Sequence, residues 1–305
     1  MTTRRAHAAS AIVALGLRGV ATLAVAWTGA PAAFAQPVAG APVIVNSMSA
    51  PGAEPQSLRG RWYRVPDPSP RPAVVLLHGC GGAYARDGRL SERMREYADL
   101  LTGEGWHALV LDSFTSRGER ELCTQRLGAR RITQADRQRD ALGALEWLRA
   151  QAGVDSQRLA IVGWSHGGST VLATTNGVWP TVAQAPVKPR AAVAFYPGCS
   201  DTLRRGYEPV SPLLMLLGGN DDWTPPGPCL ELTRRTNVRP AESAPIELHV
   251  YPGAHHGFDG TLSPRVRRDV PNGANPGQGV TVGGDPAARE DSRGRLLAFL
   301  RARLG

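Results

Sequence analysis

Val162-Gly163-Trp164-Ser165-His166-Gly167-Gly168 is the stretch that decides how this chain is read. It is entered from Leu159-Ala160-Ile161-Val162, an apolar, β-branched run of a length suited to a buried strand and too short for a helix. It is left through Ser169 to Thr175, small residues that read as a helix. A strand turning this sharply into a helix forces the central residue into strained backbone angles and leaves its neighbours no room for side chains. That is the physical reason for glycine at 163 and 167. The turn exposes the Ser165 hydroxyl at its tip above a helix N-terminus, where negative charge is favoured. The competing reading is a serine in an ordinary Gly-rich turn, because G-x-S-x-G alone is a common pattern.

Outward from the turn, strand-like runs keep ending in polar or glycine-rich segments. Upstream, Ala73 to Leu77 reads as a buried strand that feeds His78-Gly79-Cys80-Gly81-Gly82. With few side chains in the way, a backbone N–H there can face a developing negative charge. Cys80 is the candidate donor, and His166, next to the serine, is the other. A plain strand-to-helix turn is the alternative. His107 to Leu111 delivers Asp112-Ser113-Phe114 and a polar loop, Thr115 to Arg131. Arg117 and Arg120 in it are read as solvated, with contact to a substrate carboxylate as the alternative. Downstream, Ala191–Tyr196 ends in Pro197-Gly198-Cys199, Pro212–Leu217 in Gly218 to Pro225, and Ile246–Tyr251 in Pro252 to Phe258. In an open parallel sheet the carboxyl ends of the strands are where chemistry is placed.

The remaining segments fit an alternation of strands and helices. Gln36 to Glu54 is an irregular entry with an edge strand at Val43–Val45, Leu58 to Val65 reads as a strand, and Pro66 to Pro72 as a turn. Ser91 caps a helix to Thr102, with Met94, Tyr97, Leu100 and Leu101 on its apolar face and Gly103 at its end. Thr133 opens a long helix with a partial capping box to Asp136; Leu142, Leu145 and Leu148 face its core side, and Gly153 closes it. Gly260 to Pro286 has no periodicity and reads as a long surface loop, with a flap over the site as the alternative. Ala287 to Leu304 is a terminal helix.

The polar strand ends yield Ser165, then Asp221 or Asp222, then His256 or His255. A serine hydroxyl is too weak an acid to attack unaided. A histidine takes its proton, and a buried carboxylate fixes the histidine tautomer and stabilises the imidazolium. Asp221 ends its strand-plus-glycine run most directly and is preferred to Asp222, which reads as a turn residue. His256 precedes Gly-Phe and is preferred to His255. His78, His107 and His249 read as structural. Trp164 and Trp223 flank the chemistry, and either wall an acyl pocket or pack the core. The order Ser…Asp…His is that of α/β-hydrolases.

Composition bounds the rest. The chain has 305 residues, 42% hydrophobic and 20% charged, with no internal repeat, which suits one large α/β domain over residues 36–305. Residues 1–35 read as a cleaved export signal: Arg4 and Arg5, an apolar run, then Ala33-Phe34-Ala35 before Gln36. The apolar stretch Gly19–Trp27 is too short to span a bilayer, and an uncleaved anchor is the weaker alternative. Loss of Arg4, Arg5 and Arg18 leaves +6 of the formal charge of +9. The arginines are scattered without interleaved aromatics, which argues against nucleic-acid binding. The positive balance mildly favours anionic substrates or surfaces. Cys80, Cys123, Cys199 and Cys229 all follow the signal, with no C-x-x-C. They allow two disulfides in an oxidising compartment, in three possible pairings. No Walker A or H-E-x-x-H motif is present, so no nucleotide or metal cofactor is implied.

The set HGCGG at 78–82, DSF at 112–114, GWSHGG at 163–168, FYPGC at 195–199, GGNDDWTPP at 218–226 and YPGAHHGFD at 251–259 resembles the dienelactone hydrolase family. The resemblance runs from about Leu58 into the terminal helix. It implies an α/β-hydrolase fold, a mostly parallel sheet flanked by helices with a small or absent cap. It also implies Ser165 as nucleophile, Asp221 as acid and His256 as base. The enzymes that name the family carry cysteine at the elbow and are typically cytoplasmic, whereas this chain has serine and an export signal. The strand order of such folds makes neighbours of the strands ending at Leu77 and Leu111, and of those ending at Tyr196 and Leu217. On that basis it implies the pairs Cys80–Cys123 and Cys199–Cys229, with Cys80 as a free thiol near the oxyanion site as the alternative. The expectation is a secreted or periplasmic serine hydrolase acting on a small carboxylic ester or lactone, with no stable membrane span once the signal is removed. The rivals are a peptidase resembling the prolyl oligopeptidase group and an inactive binding protein on a hydrolase fold.

Overall fold

Apolar runs with no polar alternation call for strands covered on both faces, and the central strands are built that way. The computed structural model describes residues 1–2, 40–50, 52–238 and 244–305. Its main sheet contains β1 (Ala41–Asn46), β2 (Ser57–Tyr63), β3 (Arg71–Leu77), β4 (His107–Asp112), β5 (Val154–Trp164), β6 (Ala191–Phe195), β7 (Leu213–Gly218) and β8 (Ile246–Tyr251). Their spatial order is β1-β2-β4-β3-β5-β6-β7-β8. β2 runs antiparallel to both β1 and β4, and every pairing from β4 to β8 is parallel. The helices are α1 (Glu92–Gly103), α2 (Gln134–Arg149), α3 (His166–Thr174), α4 (Pro180–Ala183), α5 (Ser200–Arg205), α6 (Gly227–Asn237) and α7 (Pro286–Leu304). A two-stranded antiparallel ribbon, β9 (Arg265–Arg267) with β10 (Val280–Val282), completes the fold. This is the α/β-hydrolase architecture.

Strand β3 shows how the layers form. Val74 and Leu76 enter one core with α1 and α7, while Ala73, Val75 and Leu77 enter the other with α2, α3 and α6. All five are fully buried, so neither face tolerates a polar residue. Helix α2 starts where its capping box puts it. The Thr133 hydroxyl accepts from the Asp136 N–H, and the Asp136 carboxylate accepts from the Thr133 N–H at 2.8 Å. Asp therefore completes the box that the sequence offered only in part.

Several expectations need correction. Ser91 sits at the N-cap of α1 but makes no side-chain cap. Helix α2 ends at Arg149, and Gly153, at φ +83°, serves the turn into β5 instead. Strand β5 begins at Val154, upstream of the expected Leu159, because β3 pairs back to Val154 across a bulge. Helix α3 starts at His166, so Gly167 and Gly168 are helical rather than part of the turn. Helices α4 and α5, too short to show a period, and the longer α6 had no expectation. Residues 260–286 are not a featureless surface loop. They hold β9 and β10 and bury Val270 and Val280. The ribbon carries too little apolar surface to show a period, and backbone bonds to the body of the fold hold it.

Both cysteine pairs, Cys80–Cys123 and Cys199–Cys229, are bonded as the strand order implied. The first ties the loop after β3 to the loop after β4, and the second ties the turn after β6 to α6. The export signal expected at residues 1–35 lies, apart from Met1 and Thr2, outside the described residues. Among the described residues no helix is long and apolar enough to cross a membrane. The loop closed by Cys199–Cys229 spans 30 residues. Its removal in a Cys199→Ser/Cys229→Ser variant is expected to cost about 2–4 kcal/mol, read as a lower midpoint in urea. An unchanged midpoint would show that the loop needs no tether.

Candidate active site

The site begins with a backbone that only glycine neighbours permit. Ser165 sits at φ +54° and ψ −116°, a strained conformation for a residue with a side chain. A Cβ on Gly163 would lie 2.3 Å from the Gly167 carbonyl oxygen, and one on Gly167 would lie 2.0 Å from that of Leu77. The end of β3, the end of β5 and the first turn of α3 thus touch backbone to backbone. Their contact holds Ser165 at the tip.

The serine meets two residues from distant strand ends. His256, in the turn after β8, places Nε2 2.8 Å from Ser165 Oγ. Its Nδ1 lies 2.8 Å from Asp221 Oδ2, and Asp221 follows β7 directly. Both His256 and Asp221 are only 4% exposed. The backbone N–H groups of Trp223 and Thr224 donate to Asp221 Oδ1 at 2.9 and 2.8 Å. The Thr224 hydroxyl donates to Oδ2 at 2.9 Å. Burial pushes the Asp221 carboxyl upward, but the facing His256 and the donors from Thr224 outweigh it and hold the group below the usual carboxylate range.

The alternatives left open by the sequence separate cleanly. Asp222 turns away and accepts the N–H and hydroxyl of Thr281 at 2.7 and 3.0 Å, which fastens β10 beside the site. His255 Nδ1 lies 3.0 Å from the Asn220 carbonyl. His78 is buried and neutral in role: its Nδ1 is 2.7 Å from the Gly79 carbonyl and its Nε2 accepts the Ser113 N–H. Burial, reinforced by Arg137, pushes its pKa well down. His107 bridges Val65 N–H and the Gly153 carbonyl, and His249 lies near Asp291 and Tyr251. Trp164 is core, 4.6 Å from Tyr97 and stacked on Phe195. Trp223 instead walls the cleft, 4.7 Å from His256 and under Arg267. Arg117 is neither solvated nor in the cleft, because it pairs through both terminal nitrogens with buried Asp140 at 2.8 and 2.7 Å. Arg120 is exposed and bonds the Arg86 carbonyl.

Cys80 and His166, the expected oxyanion donors, belong to the loop after β3 and to the first turn of α3. His166 is the first residue of α3, where a backbone N–H has no partner within the helix. The loop carrying Cys80 packs on the elbow: a Cβ on Gly79 would lie 3.5 Å from Ser165 Cβ. The Cys80 carbonyl accepts the Leu122 N–H at 2.7 Å, alongside the disulfide. A cleft of about 440 Å³ opens over Ser165 and His256, with Cys80, Tyr84, Trp223 and Arg265 among its walls. Residues of the 260–286 segment form one side, which favours the flap-like reading over the plain loop.

Three supports were not legible as such. Thr224 braces Asp221 as described, and its hydroxyl is also 3.0 Å from the Tyr196 carbonyl. Tyr196, at φ +38°, lays its ring 4.6 Å from that of His256 and donates its hydroxyl to buried Asp259 at 2.6 Å. Arg93 completes that group at 3.0 Å from Asp259. The clue was an acid three residues beyond the histidine, in the stretch His256-Gly257-Phe258-Asp259.

The sequence profile described as the dienelactone hydrolase family matches residues 58–304. The chain is similar to a putative phosphoribosyl transferase of Mycobacterium tuberculosis, 31% identical over 210 residues, covering 63% of this chain and 38% of that protein. It thus spans about two-fifths of the length of the curated relatives it matches first. It is also similar to a probable 2-oxo-3-(5-oxofuran-2-ylidene)propanoate lactonase of a Bradyrhizobium species, 26% identical over 200 residues, covering 61% of this chain and 73% of that one. Among solved structures, a Thermogutta terrifontis esterase with propionate bound superposes with a TM-score of 0.56 at 20% identity, covering 88% of this chain and 95% of that one. At that identity the likeness shows the fold.

Two outcomes follow from the geometry. Gly167→Ala is expected to cost at least about 2–3 kcal/mol, because its Cβ meets rigid backbone on β3 that cannot yield cheaply; chemical denaturation measures it, and a loss under about 0.5 kcal/mol would contradict the close contact. Asp221, with its folded pKa depressed, contributes stability that is full above the unfolded value of about 3.9 and is lost as pH falls toward the folded one. Thermal melts of Asp221→Asn should therefore fall below those of the unaltered protein at neutral pH, with the gap closing below about pH 4. A gap independent of pH would mean the carboxylate gains nothing from its donors.

Proposed function

The chain belongs to the dienelactone hydrolase family, and from that premise we propose that it is a serine hydrolase cleaving a carboxylic ester or lactone through an acyl-enzyme on Ser165. One observation carries this reading: His256 bridges Ser165 Oγ and the Asp221 carboxylate at 2.8 Å on either side, at the tip of a strained elbow. The chemistry follows from that bridge. Ser165 Oγ attacks the acyl carbon as His256 Nε2 takes its proton. Asp221 accepts from Nδ1–H, which leaves Nε2 free to act as base, and it stabilises the imidazolium that forms. The carbonyl oxygen becomes an oxyanion held by the backbone N–H groups of Cys80 and His166. The C–O bond to the alcohol then breaks and His256 returns its proton to the leaving oxygen. In a lactone that alcohol stays attached to the acyl chain. A water molecule, deprotonated by His256, attacks the acyl-enzyme in the same way, releasing the acid and restoring Ser165.

The cleft of about 440 Å³ suits a small molecule. The lactonase and the propionate-bound esterase reported above support an ester or lactone. The chain is read as exported, with residues 1–35 as its signal and 36–305 as one catalytic domain. Two disulfides and the lack of a membrane-crossing helix among the described residues are compatible with that.

The test is covalent labelling with a fluorophosphonate probe, read by intact mass. One adduct is expected, absent in Ser165→Ala, together with a fall in kcat of at least about 10⁴-fold on a p-nitrophenyl ester. Folded protein that takes no adduct would remove this reading and favour a binding protein on a hydrolase fold. Turnover of peptide amides in preference to esters and lactones would favour the peptidase.

A further inference from the structure

Behind the two proposed oxyanion donors lies a charged side chain that the reaction does not touch. Arg137, on α2, is completely buried. Its Nη2 donates to the His78 carbonyl at 2.8 Å, and its Nη1 lies 2.8 Å from His166 Nδ1. Its guanidinium packs over the Phe114 ring at 5.1 Å. An arginine always donates, so His166 Nδ1 is the acceptor and the imidazole is neutral. Three residues earlier on the same helix, Gln134 Nε2 donates to the His166 carbonyl at 3.2 Å. Helix α2 therefore grips both ends of His166, its ring and its carbonyl.

Those bonds are unusual for a buried cation. None goes to a carboxylate. The nearby Asp140 is taken by Arg117, and Asp112 by the Phe114 N–H and by Thr115. Burial lowers the Arg137 pKa to about 10, which leaves it charged at neutral pH. A buried guanidinium served by neutral acceptors is costly in stability, so its retention calls for a positional explanation. Its two acceptors belong to the two segments that carry the proposed oxyanion donors, the loop after β3 and the first turn of α3. His78 stands two residues before Cys80, which the disulfide ties to Cys123.

We propose that Arg137 is a positioning residue, tying His78 to His166 so that the backbone N–H groups of Cys80 and His166 stay converged on the oxyanion. This rests on the serine-hydrolase reading above and extends it. The planar fork is essential to the role. A lysine keeps the charge but offers a single point donor that cannot span both acceptors in the same way.

The experiment compares unaltered protein with Arg137→Lys and His166→Ala, the latter keeping its backbone N–H while losing the acceptor ring. Rates on a p-nitrophenyl ester are normalised to sites titrated by fluorophosphonate, so unfolded molecules do not count. For both variants kcat per site is expected to fall about 10-fold, less than the loss of a donor itself, with KM within about two-fold. The inhibition constant of an arylboronic acid, which forms a tetrahedral adduct on the serine, should rise in step with the loss of kcat, while that of the product carboxylate stays put. A purely structural role lowers the melting temperature and the titratable fraction but leaves kcat per site and boronate affinity unchanged, and that result would overturn the proposal. If Arg137→Lys does not fold, His166→Ala decides by the same criteria. Absence of an adduct on the unaltered protein would fail the serine-hydrolase reading instead, so the two failures are told apart.

Discussion

Everything near the site depends on three stretches of backbone lying in contact: the end of β3, the end of β5 and the first turn of α3. Ser165 keeps its strained angles because no side chain stands between Gly167 and the Leu77 carbonyl, or between Gly163 and the Gly167 carbonyl. Strain of this kind persists only where the surroundings over-determine it. The parallel pairing of β3 with β5 and the two cores on either side supply that rigidity. The serine is thereby presented at the carboxyl edge of the sheet, where turns from other strands can reach it.

The other two members reach it by different means. Asp221 leaves β7 and at once folds its carboxylate back onto the N–H groups of Trp223 and Thr224, so the turn makes its own anion site. His256 needs outside support. Tyr196 covers one side of its ring, Trp223 stands close by, and the Gly283 N–H donates to its carbonyl. Tyr196 is itself held by Asp259 and Arg93. A histidine supported in this way keeps one nitrogen facing Ser165 and the other facing Asp221.

The two disulfides bear on the loops rather than on the cores. Cys80–Cys123 joins the loops after β3 and β4, and Cys199–Cys229 joins the turn after β6 to α6. Loops are the least constrained parts of such a sheet, and these clamp the ones that border the serine and Thr224. Asp222 does the same work without a covalent bond, fastening β10 through Thr281 beside His256. The segment 260–286 thus becomes a wall of the cleft although its sequence carries no pattern.

The alternation of strands and helices, the elbow with its two obligatory glycines and the order of the polar strand ends are all legible in the residues alone. Those features are local: a buried strand must be apolar throughout, and a sharp turn must be glycine-rich. The sequence also narrowed the acid to Asp221 or Asp222 and the base to His256 or His255, but adjacent residues share every local signal. Which of them meet is visible only in the folded chain, because it depends on which side chain faces a residue some 35 positions away. The same holds for Arg117, read as solvated yet half-buried against Asp140, for Arg137, which lies in no motif, and for Tyr196 and Asp259, whose motifs do not show that they meet. Their positions are set by packing between elements distant in sequence, and periodicity and propensity carry no record of such contacts.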